Sequence, residues 1–307
     1  LIIDKMTYAS NILSVSEVLK SSRIDFEKVN IGNQAIIDKL LIKFQPDYII
    51  NLAAETHVDN SIKRPESFVQ TNIVDTHKFL VSINNFYNTL GADKKKKFRI
   101  LHVSTDEVYG EIPVKESPVD ERYRYNPSSP YSASKAASDH LFKSYFKTYG
   151  LPIIISNCSN NYGPFQHKEK LIPTIIRNLI KKNKIPIYGN GLQKRDWLFV
   201  DDHCLALVKI LYFGLIGESY NIGSGKELTN LDLVETILKL LKKKNIIKIK
   251  DDNSHIINVT DRLGHDLRYS IDSSKLRNSL NWEPKNTLID GLNITIDHYL
   301  RRYGKVY

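Results

Sequence analysis

The chain has 307 residues, 41% hydrophobic and 25% charged, the composition of an ordinary soluble globular protein with room for one large or two modest domains. No apolar run approaches the ~20 residues that span a bilayer. Leu1–Lys5 lacks the order of a signal peptide, and two cysteines, Cys158 and Cys204, cannot form a disulfide framework. A reduced, cytoplasmic setting without membrane contact is expected.

The net charge of +10 comes from 44 Lys and Arg against 34 Asp and Glu. The lysines are scattered, and the clusters Lys94–Lys97 and Lys242–Lys244 are not interleaved with aromatics as in a single-strand-binding groove. No nucleic-acid partner is expected, whereas a substrate carrying phosphates would suit the excess positive charge.

Leu1–Ile3 reads as the end of a short apolar strand. Asn33–Phe44 has helical periodicity and stops before Pro46, which restricts the residue ahead of it. Asp47–Ala54 is an apolar run of strand length. Pro65–Tyr87 is long and helical, with proline in its first turn. Arg99–Ser104 is strand-like, Ser129–Tyr149 helical, and Pro152–Ser156 a β-branched strand. Apolar runs alternating with helices imply parallel βαβ units buried on both faces. The rhythm then loosens: helix over Lys170–Lys182, strand over Ile185–Tyr188, a glycine-rich turn at Gly189–Gly191, helix over Asp201–Phe213, strand over Ser219–Ile222 and a capped helix over Thr229–Lys243. The expected fold class is α/β: a Rossmann-like doubly wound parallel sheet with a smaller, interwoven substrate-binding lobe.

A sheet of this kind normally starts with a strand running into G-x-G-x-x-G, whose turn holds a dinucleotide pyrophosphate. That motif does not occur here, and Leu1–Ile3 reads as the second strand. Because the first strand would be central, residues upstream of Leu1 carrying it and the glycine-rich turn are expected.

Three groups of residues carry chemistry. Asp4, at the end of the first strand, is where an acid accepts hydrogen bonds from an adenosine ribose and repels a 2′-phosphate, which favours NAD. Tyr131 and Lys135 stand at i and i+4, on one helical face. A nearby ammonium favours the phenolate, which can take a proton from an alcohol as hydride leaves. Asp106 and Glu107 follow an apolar strand at its carboxyl end, where α/β sheets bind ligands. Two carboxyls held in different environments form an acid and a base, as elimination of water requires. Each feature has a plainer reading: a loop acid, a surface Tyr-Lys pair, and first-turn acids of a short helix.

Ser104-Thr105-Asp106-Glu107-Val108-Tyr109-Gly110, Ser129-Pro130-Tyr131-Ser132-Ala133-Ser134-Lys135 and Asn157-Cys158-Ser159-Asn160-Asn161-Tyr162-Gly163-Pro164 closely resemble the extended short-chain dehydrogenase family. Within it they are similar to the dTDP-glucose 4,6-dehydratases. The likeness continues through Lys170–Pro173, Pro186–Gly189, Arg195–Trp197, Tyr220–Gly223 and Asp261-Arg262, and covers essentially the whole chain.

The resemblance implies an NAD-dependent hydro-lyase that dehydrates dTDP-glucose to dTDP-4-keto-6-deoxyglucose. Tyr131 is implied as the base at the sugar 4-hydroxyl, Lys135 as the group that tunes it, and Thr105 as a hydrogen-bonding partner of the same hydroxyl. Glu107 would remove the C5 proton and Asp106 would protonate the departing C6 hydroxyl, before hydride returns to C6. Cofactor contacts map to Asp4, Lys5, Thr7, Asn30, Ile31, Ala53, Ala54, Thr56, Thr71, Tyr131, Lys135 and Asn161. Nucleotide-sugar contacts map to Glu55, Asn160, Lys170, Leu171, Pro186, Tyr188, Arg195, Asn230, Arg262 and His265; arginine suits a diphosphate because its fork matches phosphate oxygens. No metal is implied. A homodimer is, through the helices of 65–87 and 129–149. Residues 1–160, with 195–224 returning to them, would form the N-terminally incomplete NAD-binding part, and 161–194 and 225–307 mainly the nucleotide-sugar lobe.

The chain departs from the family pattern at Asp75, where glycine is usual, at Asn30, where an acid usually approaches the adenine, and at Leu263, where proline is usual. The stretch from Gly110 to Tyr131 is also shorter than in many relatives. UDP-glucose 4,6-dehydratases are the nearest alternative. Epimerases generally lack the Thr-Asp-Glu triplet, and GDP-mannose dehydratases typically carry serine in place of Asp106. A catalytically inactive binding or scaffold relative is the alternative of a different class.

Overall fold

The computed structural model describes residues 1–247 and 255–303. They form two compact units: Leu1–Val108, Arg124–Asn157 and Leu207–Tyr220 in the first, and Tyr109–Tyr123, Cys158–Ala206 and the chain from Asn221 onward in the second. The architecture is the α/β arrangement of parallel strands expected from the alternating pattern.

In the first unit β1 (Ile2–Asp4) pairs in parallel with β2 (Phe26–Lys28), Asp4 standing opposite Lys28. Asn33 caps α1 (Gln34–Phe44), its side chain accepting the Ile36 N–H, and α1 buries Ile37 and Leu41. β3 (Tyr48–Asn51) is shorter than the apolar run 47–54, because the chain turns after Asn51, whose side chain accepts the Ala53 N–H at 3.3 Å. α2 (Val58–Lys63) follows.

The helix expected over 65–87 is interrupted. α3 (Pro65–Phe68) passes into a π-helical turn, Val69–Asp75, and only then into α4 (Thr76–Thr89). The cause is tertiary. Asn72 is buried, accepts the Glu55 N–H at 2.8 Å, and donates to the Glu55 carbonyl at 3.0 Å and to Ser134 Oγ at 2.8 Å. Such wide turns inside helices often accompany functional sites.

α5 (Ala92–Lys97) leads into β4 (Arg99–Thr105), which pairs in parallel with β3. α6 (Pro130–Tyr149) opens on a capping box in which Ser129 and Ser132 bond each other's backbone N–H, and ends at Gly150 in the left-handed conformation. β5 (Ile153–Cys158) completes this part of the chain. The core of the unit includes Ile37, Leu80, Ile83, Ile100, Phe142 and Leu151, all fully buried. Each contributes ~1.5–3 kcal/mol through the apolar area removed from water.

The second unit holds β6 (Asn160–Tyr162), α7 (Leu171–Ile180), β7 (Ile185–Tyr188) and β8 (Lys194–Phe199). α8 (Val200–Phe213) and β9 (Ser219–Ile222) follow, and β9 joins the first sheet in the order β3-β4-β5-β9. β10 (Glu227–Thr229), α9 (Asn230–Lys243), β11 (Ile256–Val259), α10 (Ser274–Leu280) and α11 (Leu288–Tyr303) complete the described chain. β8 lies between β10, antiparallel to it, and β6, parallel to it; β11 runs parallel to β7. Ile172, Ile175, Ile185, Leu233, Ile237 and Leu292 make the centre of this core.

Among the described residues no helix is long and apolar enough to cross a membrane.

Candidate active site

β4 delivers Thr105 and Asp106 to the carboxyl end of the first sheet, where the strand passes directly into a single 3₁₀ turn, Asp106–Tyr109. Thr105 and Asp106 are buried, and Glu107 is half-buried. Thr105 is fixed at three points. Its Oγ1 donates to Asp106 Oδ1 at 3.3 Å and accepts the Glu107 N–H at 3.2 Å, while its carbonyl accepts from Asn157 Nδ2 at 3.2 Å. The two carboxyls therefore occupy environments of different wetness on one rigid turn.

Tyr131 and Lys135 project from the first turns of α6, both buried. Lys135 Nζ donates to the Val103 carbonyl at 2.9 Å, which ties the lysine to the strand that carries Thr105. The Tyr131 ring meets the Phe68 ring edge-on, with centroids 6.3 Å apart. Thr105, Asp106, Glu107, Tyr131 and Lys135 thus belong to one compact unit, on a strand end and the helix tied to it.

Asp4, Lys5, Thr7, Asn30, Ile31, Ala53, Ala54 and Thr71 line one cavity of about 570 Å³ within the same unit. Asp4 Oδ1 accepts the Met6 N–H at 2.6 Å and the Ser10 hydroxyl at 3.0 Å, bending the chain sharply after β1 with Met6 at φ 58°. Lys5 Nζ donates to Thr71 Oγ1 at 2.8 Å and lies 3.5 Å from Glu55 Oε1. The carboxylate, ammonium and hydroxyls among these residues are groups that could hold the ribose hydroxyls of a dinucleotide. Thr56 is exposed beyond β3. Asn161 is on β6 in the second unit; its Oδ1 is buried without a hydrogen-bond partner among the described residues.

Asn30 and Asp75, the two departures in this part, form one structure. Asn30 Nδ2 donates to Asp75 Oδ2 at 2.9 Å, Asn30 Oδ1 accepts the Gly32 N–H at 2.9 Å, and Gln70 Nε2 donates to Asp75 Oδ1 at 2.8 Å. Asp75 is buried and both of its carboxylate oxygens are taken up by Asn30 and Gln70.

The second unit brings Tyr188, Arg195, Asn230, Arg262 and His265 into one constellation. Pro186 and Tyr188 share the exposed face of β7. The Arg262 guanidinium lies over the Tyr188 ring, 5.0 Å from its centroid, and the His265 ring meets Tyr188 edge-on at 6.1 Å. His265 Nδ1 is 2.7 Å from Asp261 Oδ1. Burial, then the charges of Arg195 and Arg262, push His265 below its ordinary pKa against the opposing pull of Asp261. Arg195 is buried, stacked 4.2 Å from the Tyr269 ring centroid, and donates to the carbonyls of Lys194 at 2.8 Å and Asp266 at 2.9 Å. Lys170 precedes α7 as its N-cap, Leu171 opens that helix, and Asn160 opens β6. Glu55 lies in the first unit. Leu263 is exposed.

Gln193 and Asp261 are missing from the sequence-derived set. Gln193 is buried, donates to Asp261 Oδ2 at 3.2 Å and accepts from Asn230 Nδ2 at 3.4 Å, so it joins Asn230 to the Asp261–His265 pair. The spacing of Asp261 and His265 was a signal that could have found the acid; nothing local marks Gln193.

The model of the GDP-mannose 4,6-dehydratase family matches residues 2–295. The dTDP-glucose 4,6-dehydratase of Haemophilus influenzae is 49% identical over 303 residues, covering 97% of this chain and 89% of that protein. The solved structure of the Streptomyces venezuelae dTDP-glucose 4,6-dehydratase DesIV, with NAD and TYD bound, superposes with a TM-score of 0.88 at 38% identity over 99% of this chain and 88% of that one. A Bacillus cereus UDP-glucuronic acid 4-epimerase shares the fold at a TM-score of 0.85 but only 27% identity, over 98% of this chain and 90% of that one. The chain belongs to the GDP-mannose 4,6-dehydratase family and, within it, to the dTDP-glucose 4,6-dehydratases.

Proposed function

We propose that the chain converts dTDP-glucose to dTDP-4-keto-6-deoxyglucose by oxidation at C4, loss of water across C5–C6 and reduction at C6, with NAD as a cofactor regenerated in each cycle. The observation that carries this reading is the pair of unequally buried carboxyls, Asp106 and Glu107, directly after Thr105 on the strand end to which Lys135 is tied. A 4-epimerase needs acid-base help only at the C4 oxygen. Elimination needs a second base and a separate acid, and this turn supplies both.

When bound, NAD supplies the acceptor and later donor of a hydride. Asp4, Lys5, Thr7, Asn30, Ile31, Ala53, Ala54, Thr56, Thr71 and Asn161 would hold it, with Tyr131 and Lys135 at its reactive end. Tyr131 Oη takes the proton of the sugar 4-hydroxyl. A free phenol, with a pKa near ~10, is a weak base at neutral pH, and the Lys135 ammonium favours its deprotonated form. Thr105 Oγ1 orients the same hydroxyl. Once C4 is a ketone, the C5 hydrogen is acidic; the Glu107 carboxylate receives it as a proton and returns a proton to C5 when C6 is reduced. Asp106, in the drier position, delivers a proton to the C6 oxygen as it leaves as water. Of the nucleotide-sugar contacts that the resemblance implies, Arg195 and Arg262 suit the diphosphate; Glu55, Asn160, Lys170, Leu171, Pro186, Tyr188, Asn230 and His265 are the others.

Incubation with dTDP-glucose should yield the 4-keto-6-deoxy sugar without net accumulation of NADH. A dTDP-galactose product, or stoichiometric NADH, would sink the elimination chemistry. UDP-glucose assayed in parallel reads the base preference. A homodimer formed through the helical segments 65–87 and 129–149, in a cytoplasmic setting, belongs to the same reading; light scattering of the purified protein should give twice the chain mass.

A further inference from the structure

Below the turn that carries Thr105, Asp106 and Glu107 lies a charged group that the chemistry above does not use. Asp139 is completely buried on α6, four residues after Lys135 and therefore on the same helical face. One of its oxygens, Oδ2, accepts from Ser104 Oγ at 2.9 Å, from Tyr125 Oη at 2.9 Å and from Asn157 Nδ2 at 3.3 Å. The same Asn157 Nδ2 reaches the Thr105 carbonyl. The other oxygen lies 3.2 Å from His102 Nε2.

His102 does not neutralise this charge. Its ring is buried and stacked on Phe142, and Asn51 Nδ2 faces its Nδ1 at 3.2 Å, which leaves the proton on Nε2. Burial, and then the Lys135 ammonium, push its pKa down to about 4. For Asp139, burial raises the carboxyl, but the contact with His102, the Lys135 charge and the Ser104 hydroxyl outweigh it and hold it below the usual carboxylate range. Donors from three directions on one oxygen describe a group kept ionised.

We infer that Asp139 is a positioning residue for the reaction proposed above: its buried carboxylate fixes the end of β4 that presents Thr105, and it offsets the Lys135 ammonium and so limits how strongly that lysine favours the Tyr131 phenolate. The inference rests on the proposed roles of Thr105, Tyr131 and Lys135. Other charged or titratable groups on the elements around it are Lys143, whose Nζ donates to Tyr125 Oη at 3.3 Å, His140 and Lys147 on α6, Arg99 on β4, and Asp106 and Glu107 after β4.

Asp139→Asn keeps the shape and an accepting oxygen but removes the charge, and leaves those other groups in place. In protein labelled with ¹³C at the tyrosine ring, with the Tyr131 resonance assigned by its loss in Tyr131→Phe, the Tyr131 titration midpoint should fall by about one pH unit in Asp139→Asn, the size of a charge removed at roughly 10 Å in a protein interior. The ties from Ser104 and Asn157 to the lost carboxylate weaken at the same time, so kcat should fall severalfold despite the larger phenolate fraction, with KM within about twofold; an unchanged or raised kcat overturns the positioning of Thr105. A midpoint that stays or rises overturns the inference. Should Asp139→Asn not fold, Ser104→Ala keeps the charge and cuts one tie to β4: kcat should fall severalfold with the Tyr131 midpoint unmoved, and an unchanged kcat or a shifted midpoint overturns the inference. The titration requires no turnover, so a wrong substrate assignment shows itself separately, in the product assay of the unaltered protein.

Discussion

Asn30 and Asp75, 45 residues apart in sequence, share a hydrogen bond of 2.9 Å that joins the end of β2 to the π-helical turn. Gly32 makes this approach possible, because a β-carbon there would overlap the Asp75 carboxylate. Gly32→Ala should therefore destabilise the protein by ~1–3 kcal/mol, the cost of overpacking a closed site, and lower the NAD retained on purification. In Asp75→Gly the obstruction is gone, so adding Gly32→Ala to it should cost almost nothing. Denaturant melts of the two single variants and the double variant measure that non-additivity; additive losses would show that the two residues do not act on each other.

In the proposed reaction Glu107 and Asp106 divide the elimination between them, so on that reading replacing either should separate oxidation from loss of water. Glu107→Gln keeps the shape of the turn, whose bond to Thr105 Oγ1 runs through the Glu107 backbone N–H and not its side chain. Its kcat should fall by about 10²–10⁴, the usual contribution of a positioned general base. The diagnostic is isotopic: in deuterated water the variant should fail to exchange the C5 hydrogen while still reducing bound NAD in a single turnover. C5 exchange at the wild-type rate would remove Glu107 from the base role.

Tyr188 stands on the exposed face of β7 with the Arg262 guanidinium over its ring and His265 at its edge. Tyr188→Leu removes the ring that orients both. A cation–π contact of this kind contributes ~0.5–2 kcal/mol, so substrate KM should rise by roughly 3- to 30-fold while kcat changes little, the pattern of lost uniform binding. Steady-state kinetics with dTDP-glucose read the split; a fall in kcat at constant KM would place Tyr188 in the chemistry instead.

What the sequence made legible follows from how local each signal is. α6 is readable because Ser129-Pro130 starts a helix and Tyr131 and Lys135 share one face by spacing alone. The π-helical turn inside 65–87 is not readable, since it depends on Asn72 reaching Glu55 and Ser134, contacts absent from any window of periodicity. The three-stranded sheet β10-β8-β6 was equally hidden, because two of its strands have three residues each and carry no alternation. α11 lies in a stretch that received no element, although its apolar face packs into the second core through Leu292, Ile296 and Tyr299. In the site, residues set by motif were found, and those set by convergence were missed: Gln193 joins Asn230 to Asp261, and Asp139 gathers donors from three separate parts of the chain.

His203 gives the fold a dependence on pH that is separate from catalysis. It is 7% exposed in the first turns of α8, its Nε2 has no hydrogen-bond partner among the described residues, and burial pushes its pKa down to about 4 from 6.5. The folded state therefore holds a neutral imidazole where the unfolded chain binds a proton below its ordinary pKa. With the folded pKa depressed, the unfolded state takes up more protons as pH falls, so the stability present above about pH 6.5 is lost progressively down to about pH 4. At ~1.4 kcal/mol per pH unit the loss from this group approaches ~3 kcal/mol. His203→Gln removes the titrating group, and its unfolding free energy should fall less steeply over that window than that of the unaltered protein. Parallel slopes in denaturant titrations at pH 4.5, 5.5 and 6.5 would show that His203 carries no part of the acid sensitivity.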